Sequence, residues 1–514
     1  MERFLKRHDD RIVGTIAGLD RILFRGNLSS ICYLEGMDIF LSSQHIRYKD
    51  FKPFALKISG RIKDHAQEIA HKAGRPFVHL QSAKESKEEI AREIMARDQI
   101  KEGLICVLGC VEPCQTFSVR GDRASKQLRL VIEQRKCSHY YFYYFDREFG
   151  FMHVRLQSWL PLQIQVCING REYLAQQMRR QGMKFEQHDN CFTRIDDLDR
   201  AQRLMDKLNE RDWVATLSAF ARRINPWLNQ KAKLVFKPYY WTVRQSEYAL
   251  DVIFRDRESL AEIYPTLLKH AINQFSSRDV LRFLDRQTND RFSGESKSEF
   301  AHRVEGLRVK HFVEENSIKM YDKAGSILRI ETTINNPRRF RGRREGTING
   351  KSAKRWLPLR KGIVDLKRRV EISRAANERY LEALAVVGIP TPSHKLLDSV
   401  AHHVEDRNNR RYRALRPVSP EESRIFRAVL RGENNIQGVR NEDIRRELYP
   451  EAESDLDKRR KGAARITRQL LMLQAHGLIY KVSHTHYYRI TKKGHEIMNT
   501  ALKFRDSDLA LLAA

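Results

Sequence analysis

The chain has 514 residues, with 95 Lys and Arg against 65 Asp and Glu, a formal net charge of +30. At 41% hydrophobic residues it can bury real cores, and its length implies three or four domains. A bilayer span is excluded because no apolar run reaches 18 residues. The charged start, 1–11, lacks the apolar stretch of a secretion signal, and seven cysteines make no disulfide framework. The expectation is a cytoplasmic protein with a polyanionic partner, most simply nucleic acid.

Residues 1–135 read as an α/β domain. Helical periodicity at 62–73 and 87–97 alternates with short apolar runs at 77–80 and 104–111. Cys106, Cys110 and Cys114 are spaced four apart, without the CxxC pairs of zinc sites, and read as small core hydrophobes. The segment 136–335 reads as mixed sheet and helix. The run 139–145 is aromatic on both faces and predicts a buried strand. Strands follow at 151–157 and 162–167, and helices at 171–181, 198–209, 213–224 and 257–275. Asp196 and Asp197 stand where a helix N-cap and first-turn acid belong.

A hairpin, 317–322 with 326–333, carries the most chemistry. A three-residue loop of Lys323, Ala324 and Gly325 pairs Asp322 with Ser326, Met320 with Leu328 and Ile318 with Ile330. One face is then apolar, and the other carries Lys319, Tyr321, Arg329, Glu331 and Thr333. In strand-breaking chemistry Tyr321 is the candidate nucleophile, Asp322 and Glu331 are candidate ligands for Mg²⁺ or Mn²⁺, and Lys319 and Arg329 are candidate phosphate contacts. The competing reading is a sheet braced by a cross-strand ion pair to Glu331. The string 318–323 followed by 328–331 resembles rolling-circle replication initiators, in which a strand ending Tyr-Asp-Lys precedes one with Arg-x-Glu. That resemblance implies metal-dependent nicking by a bacterial mobile-element protein. It lacks the His-hydrophobic-His motif, since only His153 stands between Met152 and Val154.

Residues 336–414 read as a basic loop, a helix near 364–385 and a charged linker at 402–418. Between 338 and 369, 13 basic residues face Glu345 and Asp365, a net of +11 and over a third of the chain's excess. Gly342, Gly346 and Gly350 predict a mobile loop, with Arg341, Arg343, Arg344, Lys354 and Arg355 as phosphate contacts.

In 415–514, Ser419, Pro420 and Glu422 open a helix with a capping box. Asn441 is expected to cap a second helix, and 458–475 forms a third. Segments 478–482 and 487–491 then form a hairpin. This order resembles the winged helix-turn-helix of MarR-type proteins, most closely at 476–479 and 489–494. The resemblance implies duplex DNA binding by Arg465, Arg468 and Gln469 on the third helix and by Lys481, His484 and His486 on the hairpin.

The fold class expected is therefore a multidomain α/β protein, a mixed α+β core with antiparallel hairpins, plus a C-terminal winged helix-turn-helix. Its partner is DNA, duplex above all, with single-stranded DNA or RNA as alternatives at the central domain and no membrane. The oligomeric state is left open. Two functions compete: a Mg²⁺- or Mn²⁺-dependent nicking, transposase-like or initiator enzyme, and a non-catalytic nucleic-acid-binding protein or regulator.

Overall fold

A computed structural model of the chain describes residues 1–507 apart from 123, 125, 229–235, 276, 285–295, 304–305, 349–350, 386–392, 407–408, 432–437, 452–454 and 484. The side chains of 278, 344, 346–348, 351–355, 393–395 and 492 are also outside the description. The chain forms two compact units, Met1–Gln274 with Glu295–Ala385, and Phe275–Gly294 with Val386–Ala514. The fold is mixed α/β around a large, mostly antiparallel sheet.

That sheet has eleven strands. They are β1 (Ile12–Leu28), β2 (Phe77–His79), β3 (Gly103–Gly121), β4 (Leu128–Asp146), β5 (Gly150–Gln157), β6 (Ile164–Asn169), β9 (Tyr239–Phe254), β10 (Lys297–Arg303), β11 (Gly306–Val313), β12 (Asn316–Lys323) and β13 (Ile327–Ile334). A separate hairpin, β7 (Phe185–His188) and β8 (Cys191–Ile195), lies between β6 and β9 in sequence. The order across the sheet is β10-β11-β12-β13-β9-β1-β6-β5-β4-β3-β2, and β2–β3 is the parallel pair. The expected boundary at 135 falls inside β4, and β9 seats the 316–334 hairpin against β1. Sheet pairing thus joins the first two expected domains into one unit.

The aromatic run is core, as its composition implies. Tyr140, Phe142 and Tyr144 join the main cluster with the helix Phe51–Lys72. Tyr141 and Tyr143 pack on the other face with Ala91 and Ile94 of the helix Lys87–Arg97. Cys106 and Cys110 are buried in that second cluster.

At the other end of the sheet the helix Leu366–Leu384 covers the apolar face of β9 and β13. Its Asn377 accepts from Thr332 at 2.6 Å and donates to the Tyr248 carbonyl at 2.9 Å. Its Tyr380 hydroxyl lies 3.2 Å from Nε2 of His311, whose Nδ1 is 2.8 Å from the Ser298 hydroxyl. Burial pushes the His311 pKa down to about 4. The folded protein therefore keeps His311 neutral, while the unfolded chain takes up its proton below about pH 6.5. This contribution to stability is complete above pH 6.5 and is lost at about 1.4 kcal/mol per unit as pH falls from 6.5 towards 4. Urea unfolding at pH 7 and pH 5 checks this: His311→Gln should shrink the difference between the two pH values by about 2 kcal/mol. An unchanged difference would clear His311.

The basic stretch is not a loop. Residues Arg341–Ile348 and Lys351–Pro358 pair as an antiparallel ribbon, with Arg343 opposite Trp356 and Arg344 opposite Arg355. Arg341 and Arg343 are exposed, and the side chains of Arg344, Lys354 and Arg355 lie outside the described residues.

The second unit holds helices Pro420–Val429, Asn441–Leu448 and Leu456–Ala475, strands Ile479–Lys481 and Tyr488–Ile490, and a helix Lys492–Asp506. Ile425, Phe426, Ile444, Ile466, Leu470 and Ile497 are among its core. Ser419 caps the first helix through the Glu422 amide. Asn441 does not cap the second: it lies inside it, and its amide reaches the Ala463 carbonyl and the Thr467 hydroxyl at 2.7 and 2.8 Å. The third helix starts two residues early because Asp455 caps it. Val439 bridges to Tyr488, adding a backbone contact beside the hairpin.

Candidate functional site

The hairpin β12–β13 turns through Ala324 (φ 55°) and Gly325 (φ 79°). Its three-residue loop is 324–326, one residue later than expected. Lys323 faces Ile327, Tyr321 faces Arg329 and Lys319 faces Glu331. The register moves by two residues, so the faces are unchanged: Lys319, Tyr321, Arg329, Glu331 and Thr333 share one side. Asp322 lies on the opposite side, where its amide donates to the Tyr264 hydroxyl. Strand alternation therefore removes Asp322 from any ligand set with Glu331.

Two carboxylates take its place. β1 carries a bulge: Leu19 faces Tyr248 and Arg21 faces Glu247, leaving Asp20 as an extra residue. Bulges re-aim side chains, and this one turns Asp20 towards the β13 face. Glu247 arrives from β9, opposite both Arg21 and Thr333. Asp20, Glu247 and Glu331 each offer an oxygen, all within 4.8 Å of one another.

Beneath them lies a fully buried ion network. Arg329 holds Asp251 through two contacts at 2.5 and 2.8 Å, Asp20 at 3.3 Å and the Asn190 carbonyl at 2.7 Å. Arg171, at the start of the helix Gly170–Arg180, reaches Asp251 at 3.0 Å. The β7–β8 hairpin closes over this layer. Its Asn190 amide donates to Asp20 at 2.9 Å, and its Asp189 pairs with Lys323 at 2.8 Å.

The electrostatics follow from this layering. Burial raises the Asp20 pKa, opposed by Arg329 and reinforced by Glu331. Burial would also raise Asp251, but Arg171 and Arg329 together pull it below the usual range. Burial and then repulsion from Glu331 push Glu247 up to about 7. Tyr321 donates its hydroxyl proton to Glu331 at 2.9 Å, and burial drives its pKa well up. A protonated phenol committed to Glu331 is not poised as a nucleophile. Arg329 has no exposed surface and cannot touch a phosphate.

Lys319 is partly exposed and pairs with Glu331, its Nζ 2.7 Å from the carboxylate. Register places Arg308 beside Tyr321 and Lys310 beside Lys319, so a cationic row crosses β11 and β12 on this face. Arg303 stacks over the Tyr321 ring at 4.9 Å, and Arg21 is exposed on the other side of the acids. An open cleft lies elsewhere, at the start of β1 between Val13, Arg194, Asp196 and Arg257. Asp197, next in sequence, caps a helix through the Arg200 amide.

In the second unit Arg465, Arg468, Lys481 and His486 are exposed and Gln469 is half-buried. His484 lies outside the described residues. No helix among the described residues is long and apolar enough to cross a membrane. Compared with known family models, with curated proteins and with solved structures, the chain matches none.

Proposed function

We propose that this chain is a DNA-binding enzyme that breaks or joins phosphodiester bonds using a hard divalent ion held by Asp20, Glu247 and Glu331. The carrying observation is the convergence of three carboxylates from three distant strands beside a row of cations. Carboxylate oxygens are the donors that Mg²⁺ and Mn²⁺ prefer, so the donor set fits. Such an ion supplies positive charge at the attacked phosphate. Lys319 and Arg21 neutralise phosphate oxygens from either side. Tyr321 orients Glu331, while Arg329 and Asn190 orient Asp20. The initiator-like strings at 318–323 and 328–331 are what support a place in a mobile element. Incubation with supercoiled plasmid is the test: conversion in Mg²⁺ or Mn²⁺, blocked by a chelator, is expected, and no conversion in either ion ends the enzyme reading.

A second reading, a non-catalytic binding protein whose polar face braces the sheet, is favoured by the buried Arg171–Asp251–Arg329 network. It leaves wild type inert in both ions.

Duplex binding is assigned to the second unit. Its order of three helices, hairpin and helix, with the Val439–Tyr488 bridge, supports a winged helix-turn-helix. The exposed Arg465 and Arg468 on the third helix supply the charge. Each phosphate contact contributes about 0.9 to the slope of log affinity against log salt. Arg465→Ala with Arg468→Ala should lower that slope by about 2 in gel shifts. An unchanged slope, or full duplex affinity after deletion of 415–514, would remove the assignment.

A further inference from the structure

The ribbon of β3 and β4 continues beyond the end of β5, where His139 faces Gln157. At this point three side chains converge that the carboxylate site does not use: Cys114, Cys137 and His139. Cys110 faces His139, Glu112 faces Cys137 and Cys114 faces Arg135, so the three lie on one side of the ribbon. The two sulfurs are 2.9 Å apart, and the sulfurs and an imidazole nitrogen all lie within 4.8 Å of one another.

The imidazole says what the cluster is for. His139 has no exposed surface. Its Nδ1 is 3.2 Å from the Cys137 carbonyl. A carbonyl only accepts, so Nδ1 carries the proton and Nε2 is a bare lone pair. That buried Nε2 has no hydrogen-bond partner among the described residues. A buried histidine that donates one N–H to a backbone carbonyl and keeps its other nitrogen unprotonated is in the tautomer of a metal ligand. The two thiols complete the donor set, because cysteine binds a metal as its thiolate and gives up its proton when the ion arrives.

A disulfide fits less well. Cys114 and Cys137 are diagonal across the ladder, a relation that sets residues about 7–8 Å apart. A disulfide usually has its Cα atoms about 4.4–6.8 Å apart, closer than that diagonal. We propose that Cys114, Cys137 and His139 bind one zinc-class ion, with two sulfur donors, one nitrogen donor and a fourth position outside the protein. The ion would pin the ribbon where it leaves the sheet. The site is separate from the carboxylate trio in place and in chemistry, because soft sulfur donors select against Mg²⁺.

The test uses the full chain, reduced with a phosphine, freed of metal and titrated with Co²⁺ and then Zn²⁺. One equivalent of Co²⁺ should give a thiolate-to-cobalt charge-transfer band that Zn²⁺ abolishes. Cys114→Ser and Cys137→Ser should each remove the band, and Cys106→Ser should keep it. His139→Ala should weaken Co²⁺ binding by at least the roughly 10–100-fold that loss of an outer-shell partner costs. Circular dichroism confirms folding, with Cys114→Ala as second variant at this half-buried position. Absence of the band in wild type, its survival in both cysteine variants, or return of a disulfide in place of Co²⁺ binding would overturn the assignment. Plasmid cleavage in Mg²⁺ is not a readout here, so failure of either site leaves the other standing.

Discussion

Glu331→Gln should abolish Mg²⁺- or Mn²⁺-dependent conversion of supercoiled plasmid, by about 10²-fold or more, the scale seen when one preorganised electrostatic group is lost. Glutamine keeps the shape and can still accept from Tyr321, but it removes one of three negative donors. The same variant should lose the stabilisation that metal gives the folded state. A ligand that binds only the native protein adds about 2.7 kcal/mol at 100 times its Kd, so wild type should melt higher in Mn²⁺ and Glu331→Gln should not. Glu247→Gln sharpens the comparison. Burial and Glu331 already disfavour the ionised Glu247, so its neutral replacement should raise the stability of the metal-free protein while removing activity. A pure brace gives the reverse pattern: wild type gains nothing from Mn²⁺, and loss of Glu331 shows only as lower stability through Lys319. Equal inactivity of wild type and variant, with no thermal response to either ion, would settle on the brace.

Much of the hairpin was legible because alternation is a local property. The residues of 317–333 separate by parity whichever even register the loop selects, so the polar face was readable and the register was not. Loop placement depends on Ala324 adopting φ 55° beside Gly325, which composition does not announce. The partners of Glu331 were hidden for a different reason. β1 and β9 are central strands, paired on both edges and largely buried on both faces. Such strands lose the apolar–polar alternation that marks a half-exposed strand. The bulge at Asp20 breaks what periodicity is left. The available signal was the oddity of single acids within apolar runs, Leu19-Asp20-Arg21-Ile22 and Leu250-Asp251-Val252, since a buried acid must be paired or bind a cation. Cys137 went unpaired for a similar reason: its proximity to Cys114 depends on the register of a 19-residue strand pair, set far along the ladder.

Arg329→Met should destabilise the first unit by about 3–5 kcal/mol, the cost of removing one partner from a buried ion pair. Arg329 and Arg171 balance Asp20 and Asp251 within a region sealed from water. Removing Arg329 leaves an uncompensated negative charge there, and the Asn190 carbonyl loses its donor. Adding Asp251→Asn restores neutrality, leaving Asp20 with Arg171, so the double variant should recover part of the loss. A double-mutant cycle in urea measures that coupling. Arg329→Lys should not rescue, because one ammonium cannot reproduce the paired contacts of the guanidinium to Asp251. A cost below about 1 kcal/mol for Arg329→Met, the range of exposed pairs, would mean that the network is open to solvent. The consequence for function is direct. Among the described residues Asp20 takes its hydrogen bonds from Arg329 and Asn190, so a fold that survives Arg329→Met should still bind Mn²⁺ more weakly, with Glu247 and Glu331 unchanged. Stability and metal affinity then fall together through one residue that touches neither ion nor substrate.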